Sequence, residues 1–457
     1  VPDSAVSADF HHSDRPAVIT SRRTMSYRQF NRAVLLAAGR LRDEGVQQGQ
    51  FVGVALGQTP EALVLLRALA RLGAAACMID PRWPEKEVAR AASAANCSRI
   101  MRKFDLQQSG APPQLPEPGH SRPATVVFTS GSTGLPKPAV HSAENHIGSA
   151  VAANANIPLK PGDRWLLSLP LHHVAGIAIT FRCALAGTAV AVPEPGTPLP
   201  EALQAFRPTH ISLVPTQLAR LLADETATRR LAEAKAVLMG GAPMPPPLVQ
   251  SAFDRGIPIH TSYGLTETSS QITATPPGAY LDALLTSGKP LTPGAVAISD
   301  AGEVLVRGKT LFLGYIQNGE LHRPLAPDGW FATGDLGRFD EHGRLVVEGR
   351  RDNMFVSGGE NVLPEEIERR LCELPGIDQA LVIPIPDNEY GEVGIAYIKT
   401  RGKQLDPSRL KAQLREQLPP HKIPKQFRPW PPDLPNDVLK SARRKTAQTY
   451  KLHTFKP

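Results

Sequence analysis

The chain has 457 residues, 41% hydrophobic and 21% charged, with a formal net charge of +8. That length exceeds what one hydrophobic core usually fills, so two or three domains are expected, and the mixed composition excludes disordered and fibrous classes. No apolar run reaches the roughly 18 residues of a membrane-spanning helix, and the first residues lack a basic stretch leading into an apolar core, so neither a span nor a signal peptide is indicated and a cytoplasmic location is expected.

The stretch from Phe51 to Asp80 shows the repeating unit. FVGVAL reads as a short buried strand, Thr59 as an N-cap, Pro60 as a first helical residue, and Gly73 as the stop of a leucine-rich helix before a second strand, AAACMI. The same alternation recurs at TVVFT, RWLLSL, TAVAV, THISLV, KAVLM and IPIHTS, each expected to lead into a helix. The fold class is therefore α/β, a large N-terminal domain of helix-covered, mostly parallel sheets. After about Ser287 the pattern changes to short strands with glycine turns, GEVLVRG and GRLVVEG, which predicts a β-rich subdomain. From Pro364 onward a helix (PEEIERRLCEL), two strands, another helix (PSRLKAQLREQL) and a final strand predict a small α+β C-terminal domain. The boundary is placed at Arg351–Asn353, giving domains of residues 1–351 and 352–457 with a hinge near Asp352.

Cys77, Cys97, Cys183 and Cys372 are scattered without CxxC or His-rich spacing, which speaks against zinc or a disulfide framework. The basic residues form no aromatic-interleaved cluster, so nucleic acid is not expected as a partner; polyanionic small ligands account equally well for the charge. Monomer and homodimer both stay open.

Thr129 to Lys137 (TSGSTGLPK) follows an apolar strand and gathers hydroxyls, glycines and one lysine. Such a loop can wrap phosphates, with backbone N–H groups, hydroxyl donors and a mobile cation; on composition alone it could equally be an exposed linker. It is not a Walker A loop, because Pro136 and Pro138 stand where Gly and Ser/Thr are required. In YGLTET, Glu267 beside Thr266 offers the hard oxygens that suit Mg²⁺ between protein and phosphates. In TGDLG, Asp335 sits in a glycine-bracketed turn, able to accept from two hydroxyls or simply to hold the turn.

Together with LPLHHVAG from Leu169, GGAPM from Gly240, GRRDNMFVSGGENVLPEEIE from Gly349 and LPPHKIPK from Leu418, these strings resemble the acyl-CoA synthetase, peptide-synthetase adenylation-domain and luciferase superfamily of adenylate-forming enzymes, the ANL superfamily, and in the same order. The resemblance implies an ATP-dependent acid–thiol ligase acting through an acyl-adenylate, with ATP, Mg²⁺ and coenzyme A as cofactor and co-substrates. It implies nucleotide binding by Thr129, Ser130, Gly131, Ser132, Thr133, Gly134 and Lys137, by Gly240, Gly241, Tyr263, Gly264 and Thr266, and by Asp335 with Arg350. Tyr263 would stack on adenine, and Glu267 with Thr133 would hold the metal. It also places His173 beside the acyl carbonyl, Asp352 at the pivot of a mobile small domain, and Gly358 and Gly359 along the CoA channel. The C-terminal lysine motif departs from the family pattern: LPNDVLKSARRK has Leu439 where Gly is usual and is one residue shorter. Lys440, three before Arg443, is assigned as the catalytic lysine, with Lys445 as the fallback.

WLLSLPLHHVAG, ISLVPTQLARLL and FVSGGENVLPEEIE are more similar to o-succinylbenzoate–CoA ligases of menaquinone synthesis than to fatty-acid enzymes. That resemblance makes Arg182, in the apolar run GIAITFRCALAG, the receiver of a substrate carboxylate; alternatively it snorkels to solvent from a helix end. Another aryl- or acyl-CoA synthetase, a stand-alone adenylation domain loading a carrier protein, and a binding protein that merely keeps the fold are the other readings.

Overall fold

A computed structural model describes residues 13–106, 113–114, 119–129, 137–400 and 406–431. Among them, chain contacts divide into two compact units: one holds the residues up to Ala242, Arg255–Val296 and Val306–Phe331, and the other holds Pro243–Asp254, Ala297–Leu305 and the chain from Ala332 onward.

The first unit contains two large sheets. In the nine-stranded sheet the strands run Lys289–Pro290, Ser270–Ala274, Ile259–Leu265, Ala236–Met239, His210–Leu213, Arg164–Leu166, Ala189–Ala191, Pro16–Ile19 and Thr24–Ser26. Its central pairs are parallel and its edges antiparallel. Residues of His210–Leu213 and Ala236–Met239 are buried throughout, as parallel strands covered on both faces must be. The seven-stranded sheet runs Glu320–His322, Gly314–Gln317, Lys137–Ser142, Pro123–Thr129, Ala75–Met78, Phe51–Val54 and Cys97–Met101. Between its strands the helix Pro60–Arg71 starts as its sequence predicts: the Thr59 hydroxyl accepts from the Ala62 N–H at 3.2 Å, Pro60 occupies the first turn, and Gly73 follows the end at φ 69°.

Two expected strand–helix units are strand–strand units instead. TVVFT lies in Pro123–Thr129, which pairs antiparallel with Lys137–Ser142 in a register that sets Thr129 opposite Lys137. The helix signal sits one strand later, where Ser142 and Asn145 form a capping box for Ala143–Asn156. IPIHTS lies at the head of Ile259–Leu265, which folds back on Ser270–Ala274. The reversal is carried by the short 3₁₀ turn Thr266–Thr268 and by Ser269 at φ 57°, after which the adjacent β-branched residues Ile272 and Thr273 of SQITA favour a strand.

The β-rich stretch forms a four-stranded sheet, Gly294–Ile298, Glu303–Gly308, Phe331–Phe339 and Leu345–Arg350. In the second unit, the long antiparallel pair Ile377–Asp387 and Gly391–Thr400 is flanked by the hairpin Phe355–Ser357/Glu360–Val362 and by Gln426–Pro429. Helices Pro364–Glu373 and Pro407–Arg415 complete an α+β module whose core includes Phe355, Ile367, Leu371, Val382, Leu414 and Phe427. No described helix is long and apolar enough to cross a membrane. Leu371 is fully buried, so Leu371→Ala is expected to lower the unfolding free energy of this module by about 2–5 kcal/mol, measured as a shift in its urea midpoint.

Candidate active site

In the first unit, the YGLTET motif begins inside the strand Ile259–Leu265 and ends in the Thr266–Thr268 turn. Gly264 has to be glycine: a Cβ there would lie 2.2 Å from the Ser270 carbonyl oxygen across the antiparallel pair. Tyr263 precedes it, half-buried at the register irregularity of that pair. Glu267, also half-buried, accepts a short hydrogen bond from the Tyr315 hydroxyl. The Lys137 ammonium lies 5.7 Å from the centroid of the same Tyr315 ring. One tyrosine thus joins the lysine of the TSGSTGLPK loop to the carboxylate of YGLTET, residues separated by more than a hundred positions. The Thr266 hydroxyl makes no hydrogen bond among the described residues, while its carbonyl accepts from His141 Nε2 at 2.7 Å. Burial pushes His141 down to about 4, so the imidazole is neutral at pH 7.

Thr129 Oγ1 donates to the Lys137 carbonyl at 3.4 Å, closing the base of a hairpin. Ser130, Gly131, Ser132, Thr133 and Gly134 lie outside the described residues, as do Lys440 and Lys445. Gly240 and Gly241 follow the strand Ala236–Met239. A Cβ on Gly240 would come within 3.2 Å of Ser262 Oγ, and Gly241 has φ 80°, so the chain turns here in a conformation open to glycine.

His173 is the N-cap residue of the helix Val174–Ala186, with its side chain making no cap hydrogen bond. Its ring lies 4.5 Å from that of His172, whose Nε2 is 3.5 Å from the Asp80 carboxylate. Asp80 is in turn held by Arg82 through Nε at 3.0 Å and Nη2 at 2.8 Å. Burial, and then the neighbouring His173, hold the His172 pKa down to about 4.

Arg182 lies in the same helix and does not snorkel: it is 1% exposed. Its Nη2 donates to Ser270 Oγ at 2.8 Å and to Gln271 Oε1, and the guanidinium sits 5.1 Å from the Trp165 ring centroid. Burial lowers its pKa to about 10, which leaves it charged at neutral pH. Among the described residues no carboxylate pairs with it, and both Arg182 Nε and Gln271 Nε2 are buried without a hydrogen-bond partner. These are donors in want of an acceptor.

In the second unit, Asp335 and Arg350 face each other across the antiparallel pair Phe331–Phe339 and Leu345–Arg350. Arg350 Nη1 bonds the Asp335 carboxylate at 2.8 Å and the Thr333 carbonyl at 3.0 Å. Glu303 accepts from the Gly334 N–H at 2.8 Å and pairs with Arg351. Gly334 has φ 74° and packs against Arg350, so the turn before Asp335 is shaped by the arginine that contacts it. Asp352, in the 3₁₀ turn Arg351–Asn353, is largely exposed, with its carboxylate 3.6 Å from Arg350 Nη2. Gly358 and Gly359 form a two-residue hairpin turn at φ 60° and 88°, which matches the twist of the strands it joins.

Tyr315, His141, Ser270 and Gln271 lie outside the motifs, and Trp165, at the head of WLLSLPLHHVAG, is given no role there. Tyr315 and His141 carry no local signal, because only the pairing of Tyr315 with Ala139 and the packing of the Thr266 turn bring them to the site. Ser270 and Gln271 lie one residue beyond YGLTET, after Ser269, and the strand that starts there is the signal that could have revealed them.

An AMP-binding enzyme family model matches residues 6–114 and 102–316, and the C-terminal domain model of AMP-binding enzymes matches 366–438. The chain belongs to the AMP-binding enzyme family. Its relatives include the 2-succinylbenzoate–CoA ligase of Salmonella typhimurium, 35% identical over 95% of each chain. Among solved AMP-binding enzymes, the o-succinylbenzoate CoA synthetase (MenE) of Bacillus subtilis in complex with its acyl-adenylate intermediate OSB-AMP is similar at TM-score 0.83 and 27% identity, covering 95% of both chains. The same enzyme in complex with ATP and magnesium ion is similar at TM-score 0.82 and 27% identity, covering 94% of this chain and 97% of that one.

The buried imidazoles set a pH limit on this AMP-binding enzyme. His172 and His210 ionise at about 4 in the folded chain against an ordinary 6.5. Between those values the unfolded chain binds more protons, so stability is complete above about pH 6.5 and falls as the pH drops toward 4. The thermal midpoint is expected to fall between pH 7 and pH 4.5, and His210→Gln to flatten that dependence.

Proposed function

We propose that this enzyme ligates 2-succinylbenzoate to coenzyme A at the expense of ATP, through the acyl-adenylate, as a step of menaquinone synthesis. The observation that carries the substrate assignment is Arg182, a fully buried guanidinium that, among the described residues, has no carboxylate partner and whose Nε, like the Nε2 of its neighbour Gln271, makes no hydrogen bond. An acid with a second carboxylate supplies the missing acceptor. The relatives of similar length that bear the 2-succinylbenzoate–CoA ligase name support the same reading.

In the first half-reaction a carboxylate oxygen attacks the α-phosphorus of ATP, the bond to the β-phosphate bridging oxygen breaks, and pyrophosphate leaves. Glu267, held from behind by Tyr315, and the Thr266 hydroxyl would hold Mg²⁺ through hard oxygens, which suit that ion. Bound there, Mg²⁺ would neutralise phosphate charge. Lys137 and Thr133 offset charge on the departing pyrophosphate, Asp335 with Arg350 holds the ribose, and Tyr263 with Gly240 and Gly241 frames adenine. Lys440 bridges the incoming carboxylate and the α-phosphate; one preorganised donor of this kind contributes about 10²–10³ in rate. In the second half-reaction the CoA sulfur attacks the acyl carbon, the bond to the AMP oxygen breaks, and the thiol proton passes to solvent. His173 flanks the acyl carbonyl, Gly358 and Gly359 line the path of the thiol, and Asp352 is the pivot on which residues 352–457 move between the two steps.

An acid panel in ATP–pyrophosphate exchange tests the reading: 2-succinylbenzoate is expected to support exchange far better than benzoate or a fatty acid, with AMP release depending on CoA and not on a carrier protein. Preference for a monocarboxylic acid would discard it. Arg182→Ala should raise KM for 2-succinylbenzoate by about 10–150-fold, the worth of a charge-assisted hydrogen bond, with KM for ATP little changed. Lys440→Ala should abolish adenylate formation yet spare thioester formation from supplied acyl-adenylate. Equal loss of both half-reactions would refute that assignment.

A further inference from the structure

The Thr266–Thr268 turn lies at the end of a strand of the nine-stranded sheet and is closed locally by the Thr268 hydroxyl, yet further groups that hold it come from the seven-stranded sheet and the segment leading into it. The Phe312 N–H donates to the Glu267 carbonyl at 2.9 Å, and Ser269 Oγ donates to the Thr310 carbonyl at 2.9 Å. Tyr315, on Gly314–Gln317, donates to the Glu267 carboxylate. His141, on Lys137–Ser142, contacts the Thr266 carbonyl at 2.7 Å, and these two strands pair directly, Tyr315 opposite Ala139.

A carbonyl only accepts, so His141 carries its proton on Nε2 and donates it to Thr266. The ring is fully buried, 5.2 Å from His146 and 6.3 Å from Phe312, and among the described residues its Nδ1 has no hydrogen-bond partner. Leaving a buried polar atom unbonded costs free energy, which packing alone would have avoided with an apolar residue of the same shape. The imidazole is therefore kept for its one bond. That bond ties the backbone of the Thr266–Glu267 turn to the strand that begins at Lys137.

The geometry points to His141 as a positioning residue for the first half-reaction, holding the Thr266–Glu267 turn in register with Lys137 so that the magnesium and phosphates of ATP meet carboxylate and ammonium together. The inference rests on the nucleotide assignment made above. It asks nothing of His141 in the thioester step, where no pyrophosphate leaves.

His141→Phe and His141→Gln separate this role from mere packing. Phe fills the space without a donor, whereas the Gln amide can place an N–H near the Nε2 position. With both variants shown to be folded by their thermal midpoints, His141→Phe is expected to lose about 10–100-fold in the Mg²⁺ enhancement of ATP binding, measured calorimetrically with and without a chelator, and in ATP–pyrophosphate exchange. Thioester formation from supplied acyl-adenylate should stay within about twofold of the unchanged protein, and His141→Gln should recover most of both losses. Unaltered Mg²⁺ dependence in His141→Phe, or equal losses in both half-reactions, would overturn the proposal. Because calorimetry needs no acid, an enzyme that binds MgATP but rejects 2-succinylbenzoate would count against the substrate assignment and leave this comparison decisive.

Discussion

A three-residue turn, Thr266–Thr268, stitches the two large sheets of the first unit together, and the proposed chemistry depends on that stitch. A carboxylate that is to share a metal with phosphates must be fixed to within a fraction of an ångström relative to the cation that binds the same phosphates. Here the carboxylate and the ammonium belong to different sheets. Main-chain bonds from Phe312, the imidazole of His141 and the phenol of Tyr315 remove the freedom that the separation would otherwise leave. Gly264, hard against the Ser270 carbonyl, lets the strand make its tight pairing immediately before the turn.

The acyl end works by a different economy. A guanidinium buried to 1% exposure is costly unless it is paired. Among the described residues, Arg182 meets only neutral acceptors and the face of Trp165, an arrangement that keeps the cation in place without cancelling its charge. A protein carboxylate at that position would have satisfied the arginine and removed its proposed role as receiver of an anionic substrate. His173 and Arg182 share one helix, so the group expected beside the acyl carbonyl and the group expected at the far carboxylate are spaced by a rigid element.

In the second unit, Asp335 is locked into a ring of contacts with Arg350 and Thr333, and Glu303 braces both Gly334 and Arg351. The pairing across adjacent strands fixes the carboxylate in advance, which reduces the ordering cost of the ribose binding proposed for it. Downstream, the Gly358–Gly359 turn combines two left-handed residues with a close approach to Tyr390, so a side chain at Gly358 would be strained and crowded.

The alternation of apolar strands and capped helices was readable in the residues because it is local: Thr59, Pro60 and Gly73 act within a few positions of themselves. Motifs such as YGLTET and TGDLG were visible for a related reason, since each gathers its functional groups within a few consecutive positions. Local signals could not say that the strand ending at Thr129 would turn back on Lys137 rather than enter a helix, because strand pairing is settled by partners distant in sequence. Nor could they reveal Tyr315, His141 or Gln271, whose parts depend on hydrogen bonds spanning 48, 125 and 89 positions. The sequence by itself determined the layered α/β architecture and the kind of chemistry, through periodicity and side-chain type. The tertiary structure alone decided which groups hold the reacting ones in place, because burial and hydrogen-bond geometry exist only once the sheets have come together.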